Sequence, residues 1–135
     1  MNMAYYVLII DRAWEVALEK FKMGANAAKS ENRSTMVVET NTKYLQEVKE
    51  GEEVDINLTY FDHDKKRLHI KMEMIAKNTN KLSASMEWIS LYIDLSRRKV
   101  TEFEDEKIKL MDDFIRENKS YFSSEGLLFS SKLKK

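Results

Sequence analysis

Over residues 4–23 the polar side chains Asp11, Glu15, Glu19 and Lys22 recur at spacings of four, four and three, which puts them on one helical stripe and leaves the rest apolar apart from Arg12 and Lys20. Val7, Ile10, Trp14, Leu18 and Phe21 form one row, flanked by Tyr6, Ile9, Ala13, Val16 and Ala17. So wide an apolar arc predicts a helix that is mostly enclosed. Asn2 suits its N-cap, and Gly24 suits a left-handed C-terminal cap. Residues 26–33 have no period and read as a loop. The period then changes to two. Residues 35–46 are rich in Val and Thr, Val54, Ile56, Leu58 and Tyr60 alternate with polar neighbours, and Leu68, Ile70, Met72, Met74 and Ala76 do the same. Leu82, Ala84, Met86 and Trp88 repeat the pattern before Ile89, Leu91 and Ile93 make the second face apolar as well, so the last strand should be central. Short polar connections at 49–52, 63–66 and 78–81 predict hairpins and a largely antiparallel sheet. Ile108, Met111, Phe114 and Ile115 mark a peripheral amphipathic helix from 105 to about 121 that starts in an acidic run.

Composition narrows the class. The 135 residues carry 23 Lys plus Arg against 23 Asp plus Glu, zero net charge in a chain that is 34% charged. Without a basic excess, nucleic-acid binding is not expected. The length suits one domain, placed at 1–122, with the Ser-rich, Lys-ended residues 123–135 as a partly ordered tail. No apolar run reaches the ~20 residues that span a bilayer, and no signal-peptide pattern opens the chain, so no membrane partner and a cytoplasmic location are expected. With no Cys there is no disulfide, thiol nucleophile or Cys-ligated zinc. His63 and His69 lack a ligand spacing, and no metal is expected. Flanking Asp62 and Asp64 favour the charged form of His63.

Three stretches carry a family resemblance. Met1-Asn2-Met3-Ala4-Tyr5-Tyr6 is the first. Val38-Glu39-Thr40, with Lys43-Tyr44-Leu45-Gln46-Glu47-Val48 and Gly51-Glu52, is the second, and Asp62-His63-Asp64-Lys65-Lys66-Arg67-Leu68-His69 is the third. Together they resemble the hotdog-fold acyl-CoA thioesterases, in the branch similar to betainyl-CoA thioesterase and the carnitine dehydrogenase-associated domains, within the wider 4-hydroxybenzoyl-CoA thioesterase-like group. The resemblance implies an α+β hotdog fold, a curved antiparallel sheet wrapped around a long central helix. It also implies hydrolysis of a small or medium acyl-CoA, with CoA as part of the substrate and no separate cofactor. The family's first strand, and the His and acidic residue of its opening motif, fall upstream of Met1. A non-catalytic hotdog module that binds acyl-CoA or a protein partner therefore stands as the alternative, and a small α+β carrier of another fold as a third.

Thioester hydrolysis needs a carboxylate that attacks or activates water, and donors for the developing oxyanion. In the family the start of the central helix faces the thioester, so the resemblance points to the amides of residues 2–5, with Asn2 as a catalytic candidate or only a cap. Glu39 interrupts a β-rich run and, projecting toward the helix, is the candidate base; otherwise it is a solvent-facing strand residue. Tyr5, Tyr6 and Thr40 are the candidate acyl contacts, with Trp88 and Tyr92 as further lining or plain core. Lys66 and Arg67, beside Lys65, form a basic turn for the CoA phosphates or a solvated hairpin end. Glu73 and Glu87 fall on polar strand faces and read as solvated. A curved sheet leaves a bare edge strand, which predicts a homodimer, and a dimer of dimers as the larger assembly.

Overall fold

The computed structural model describes residues 3–135. Helix α1 (Met3–Lys20) buries Tyr6, Ile10, Trp14 and Leu18, and Phe21 continues the row just past its end. The helix is enclosed on one face only. Val7 is 39% exposed and Val16 68%, because the sheet covers the Tyr6–Leu18 stripe and nothing covers the opposite side among the described residues. The left-handed residue after α1 is Lys22 rather than Gly24. Met23 N–H donates to Leu18 O at 3.1 Å and Lys22 N–H to Glu19 O at 3.2 Å, a paired closure that satisfies the last carbonyls and tucks Met23 into the core beside Leu18. Gly24 instead precedes a short helix, α2 (Ala25–Ser30), where a loop was expected.

Strands β1 (Arg33–Tyr44), β2 (Val54–His63), β3 (Arg67–Ala76) and β4 (Lys81–Asp94) form an antiparallel sheet in the order β1-β4-β3-β2, with β5 (Lys99–Val100) paired to the end of β4. The β2–β3 and β3–β4 hairpins and the central place of β4 follow the sequence expectation. The 49–52 connection does not make a hairpin, since β1 and β2 lie on opposite edges.

Cross-strand pairs define an inner face toward α1 and an outer face. Ile70 opposite Trp88, Met72 opposite Met86 and Met74 opposite Ala84 point inward. Trp14 meets Trp88 edge-on at 5.7 Å and Phe61 at 5.8 Å, and Phe21 stacks on Phe61 at 5.0 Å. Two bulges break the simple alternation. The register slips at Thr59, so Tyr60 turns outward and Phe61 enters the core. It slips again at Val38: Thr35 and Val37 pair with inward Tyr92 and Ser90, Glu39 pairs with outward Ile89, and Thr40 pairs with inward Trp88.

Helix α3 (Asp105–Asn118) packs Phe114 against Phe21 and Phe61, and a single 3-10 turn (Lys119–Tyr121) continues it. The buried ammonium of Lys107 reaches Glu31 at 2.8 Å and Glu104 at 3.0 Å, tying α3 to the end of α2. Burial lowers its readiness to hold a proton, but the two carboxylates outweigh this and its pKa is raised. Residues 123–135 are no free tail. They cross the outer face, where Ser123 N–H bonds Thr59 O at 3.0 Å and Phe129 is buried.

Candidate active site

Because β1 and β2 lie on opposite edges, residues 45–53 must cross the end of the sheet beside the amino end of α1. Leu45 and Gln46 donate to Ser83 O at 2.9 and 3.1 Å, and Glu53 O accepts from Lys77 at 3.0 Å. Val48 is fully buried, and its N–H donates to the Tyr6 hydroxyl at 3.0 Å while that hydroxyl donates to Gln46 O at 3.3 Å. Tyr6 thus braces the crossing segment, and its ring meets Tyr44 edge-on at 5.2 Å. Gly51 adopts a φ of 86°, a left-handed conformation that turns the segment back toward β2.

A cavity of about 430 Å³ opens between this segment and α1, lined by Tyr5, Ile9, Lys49, Glu50, Gly51, Glu52 and Val54. Tyr5 and Ile9 stand one helical turn apart and supply one wall together with Val54. Two carboxylates, Glu50 and Glu52, and the Lys49 cation also line it, and Glu52 Oε1 accepts the Lys49 N–H at 3.3 Å. The free amides of a helix start favour negative charge, so the amino end of α1 supplies oxyanion-stabilising potential beside the cavity.

Of the residues singled out in the sequence, Tyr5 lines this cavity and Tyr6 supports it from the core. Asn2 lies outside the described residues. Thr40 faces inward from β1 but is exposed, its hydroxyl 3.3 Å from that of Thr42. Glu39 does not project toward α1. The bulge at Val38 turns it to the outer face, where it meets Lys132 at 3.4 Å. Lys66 and Arg67 sit at the far end of β2 from the cavity, a separation of about 30 Å for a strand of this length. Asp64 ties that turn down, accepting from Lys66 N at 2.9 Å, Arg67 N at 2.7 Å and Arg67 Nη1 at 2.9 Å. Burial pushes the Asp64 carboxyl up, but these bonds and one from Lys134 N outweigh it and hold it below the ordinary range.

The sequence reading missed Glu50 and Glu52 as cavity residues, because a hairpin would have carried them away from α1. The lone Val48 inside the polar stretch from Gln46 to Glu53 was the available signal. Glu87, expected to be solvated, is buried with His69: Glu87 is 2% exposed and His69 0%, with His69 Nε2 2.7 Å from Glu87 Oε2. Burial raises the Glu87 carboxyl, while the Leu128 amide, the His69 ring and the Phe129 amide pull it lower overall. The His63 ring meets Asp112 of α3 at 2.6 Å and the Asp64 carbonyl at 2.8 Å, while the Asp62 carboxylate accepts the His63 backbone N–H at 2.8 Å. Among the described residues no His and carboxylate side chains cluster to hold a metal, and no helix is long and apolar enough to cross a membrane.

An antiparallel sheet laid against one long helix, with a cavity at that helix's amino end, is the hotdog architecture of thioester-processing proteins. The sequence profile of the thioesterase-like superfamily matches residues 1–117, and the chain belongs to this superfamily. It is 23% identical over 124 residues to the betainyl-CoA thioesterase of Pseudomonas aeruginosa, covering 92% of this chain and 78% of that protein. A Staphylococcus aureus protein solved in complex with CoA superposes with a TM-score of 0.82 at 17% identity, covering 100% of this chain and 82% of its own. The 1,4-dihydroxy-2-naphthoyl-CoA thioesterase of Synechocystis superposes with a TM-score of 0.73 at 16% identity, covering 84% and 83%. These likenesses fix the fold as hotdog.

Proposed function

We propose that this chain hydrolyses acyl-CoA thioesters at the α1 cavity and prefers a small acyl group that bears a positive charge. The make-up of the cavity carries the reading: a short apolar wall with one aromatic ring, Tyr5, shares the lining with two carboxylates, Glu50 and Glu52, which outnumber the one cation there, Lys49. Cations are attracted both to ring faces and to carboxylates, whereas a neutral acyl group gains only the apolar wall. The named activity of the Pseudomonas aeruginosa relative, whose acyl group is a quaternary ammonium, supports the same choice.

In this reading the acyl carbonyl lies toward the first turn of α1, whose amides stabilise the oxyanion, with Asn2 adding a donor. Glu52 is the less exposed cavity carboxylate and activates water, while Glu50 and Tyr5 face the acyl head. Water oxygen bonds to the acyl carbon, the carbon–sulfur bond breaks, and CoA leaves as the thiol. The test compares betainyl-CoA with tert-butylacetyl-CoA, its neutral isostere. We expect kcat/KM to favour the cation by about tenfold, which is ~1.4 kcal/mol, and the preference to vanish in Glu50→Gln. Equal rates for the two substrates would remove the cationic preference. Binding of both without turnover would establish the non-catalytic module instead.

The chain works as a homodimer in this reading, joined through β1. That strand is a sheet edge, and Met36, Val37 and Val38 are exposed along it. Antiparallel pairing of two such edges about a two-fold axis sets the Arg33 end of one β1 beside the Tyr44 end of the other. The Lys66 turn lies at the Arg33 end, since Lys66 O accepts Tyr92 N–H at 2.8 Å beside the start of β1. Lys66 and Arg67 then serve the CoA phosphates of the neighbouring copy, where their own cavity is out of reach. Light scattering should give about twice the 16.0 kDa chain mass, and Val37→Lys should halve it. A wild-type monomer at micromolar concentration would exclude this arrangement.

A further inference from the structure

Residues 127–135 lie across the outer face of the sheet without joining its ladder, and side-chain carboxylates hold them there. The Leu128 and Phe129 amides donate to Glu87 at 2.8 and 2.9 Å, and the Lys134 amide donates to Asp64 at 2.9 Å. Lys132 pairs with Glu39 at 3.4 Å, both exposed, and the exposed Lys135 pairs with the half-buried Asp62 at 2.6 Å. Phe129 is the buried apolar side chain of the segment, and Leu128 beside it is exposed. Beneath lie Glu87 and His69. His69 Nδ1 is buried with no hydrogen-bond partner among the described residues, and the Tyr60 ring meets the imidazole at 5.0 Å.

We propose that residues 127–135 form a strap that lifts from the sheet as a unit while the sheet stays folded, with Glu87 as its latch, and that lifting exposes the His69 imidazole. The ion pairs of Lys132 and Lys135 exchange for water at little cost, which leaves the amide bonds to Glu87 and Asp64 and the Phe129 contact as what holds the strap down. Lifting also gives His69 Nδ1 the partner it lacks, which offsets part of the loss of the Phe129 contact. Elements with few buried apolar contacts open independently of the core they cover. The β3 and β4 ladders underneath have no such weakness, being buried in the middle of the sheet.

The test needs the intact protein and two readouts. In native-state amide exchange, we expect Leu128 and Phe129 to exchange at least about a hundredfold faster than Ile70 and Trp88, as separate opening requires. With diethyl pyrocarbonate, we expect the peptide carrying His69 to be modified at least about tenfold faster in Phe129→Ala than in wild type, with the circular dichroism of the sheet unchanged. Exchange of Leu128 and Phe129 at the rate of the β3 and β4 amides in the wild-type chain would make the segment an inseparable part of the fold and overturn the proposal. His69 modified no faster in Phe129→Ala would equally overturn it.

Discussion

Trp14→Ala should cost about 3–5 kcal/mol and lower the melting midpoint by roughly 10–20 °C, the effect of emptying a large aromatic site in a core of this size. Trp14 sits where α1 crosses the sheet, edge-on to Trp88 and against Phe61, so its loss separates the helix from two strands at once. The indole N–H has no hydrogen-bond partner among the described residues. Phe at this position therefore removes an unsatisfied donor together with part of the volume, and Trp14→Phe should lose less than half as much. Thermal unfolding followed by circular dichroism separates the two variants. Equal losses would mean that the indole nitrogen, not the ring contact, matters at this site.

Asp64→Ala should be nearly as damaging, at about 3–5 kcal/mol. It strips the acceptor from the amides of Lys66, Arg67 and Lys134 and leaves the Arg67 guanidinium without its partner. Asp64→Asn should recover part of this, because a carbonyl oxygen still accepts. The same carboxylate shapes the acid limb. Asp64, Glu87 and Glu104 all titrate below their ordinary values, so each contributes stability above the unfolded-state range near pH 4 and loses it as pH falls through its folded value. In urea unfolding at a series of pH values, Asp64→Asn should lower the neutral plateau and flatten the decline below about pH 4. A variant whose acid slope matches wild type would take Asp64 out of that account. At the alkaline end, burial and the Glu104 carboxylate raise Tyr92, so stability falls as pH rises above the ordinary tyrosine range.

How far the sequence could be read depended on whether one residue type carried one local meaning. The Tyr6, Ile10, Trp14, Leu18 row and the alternations of β3 and β4 were legible because period and burial agree there. The bulge at Val38 was not: one extra residue in a run of Val and Thr leaves no mark in composition, yet it turns Glu39 from the helix side to the outside. The same holds at Thr59, where Phe61 replaces Tyr60 as the inward residue. Lys22 takes the left-handed position because Leu18 and Met23 close around it, a tertiary reason that local preference for Gly24 could not reveal. The strap was hidden for a further reason. Its partners are acids on the polar faces of strands, which a periodicity argument assigns to solvent.

At the candidate site, Tyr5 was visible through the family resemblance, whereas Glu50 and Glu52 depended on the order of strands. A connection of nine residues between two strands looks like a hairpin loop until the sheet order is known.

That order has a temporal consequence. The strand that begins at Arg33 finds its ladder only in the strand that ends at Asp94, so its bonds close a loop of dozens of residues. The three later strands pair with sequence neighbours and need no such wait. As the chain leaves the ribosome, the hydrophobic helix and the first strand emerge before the strands they pack against. They dock only after the meander that follows them has been synthesised and has folded.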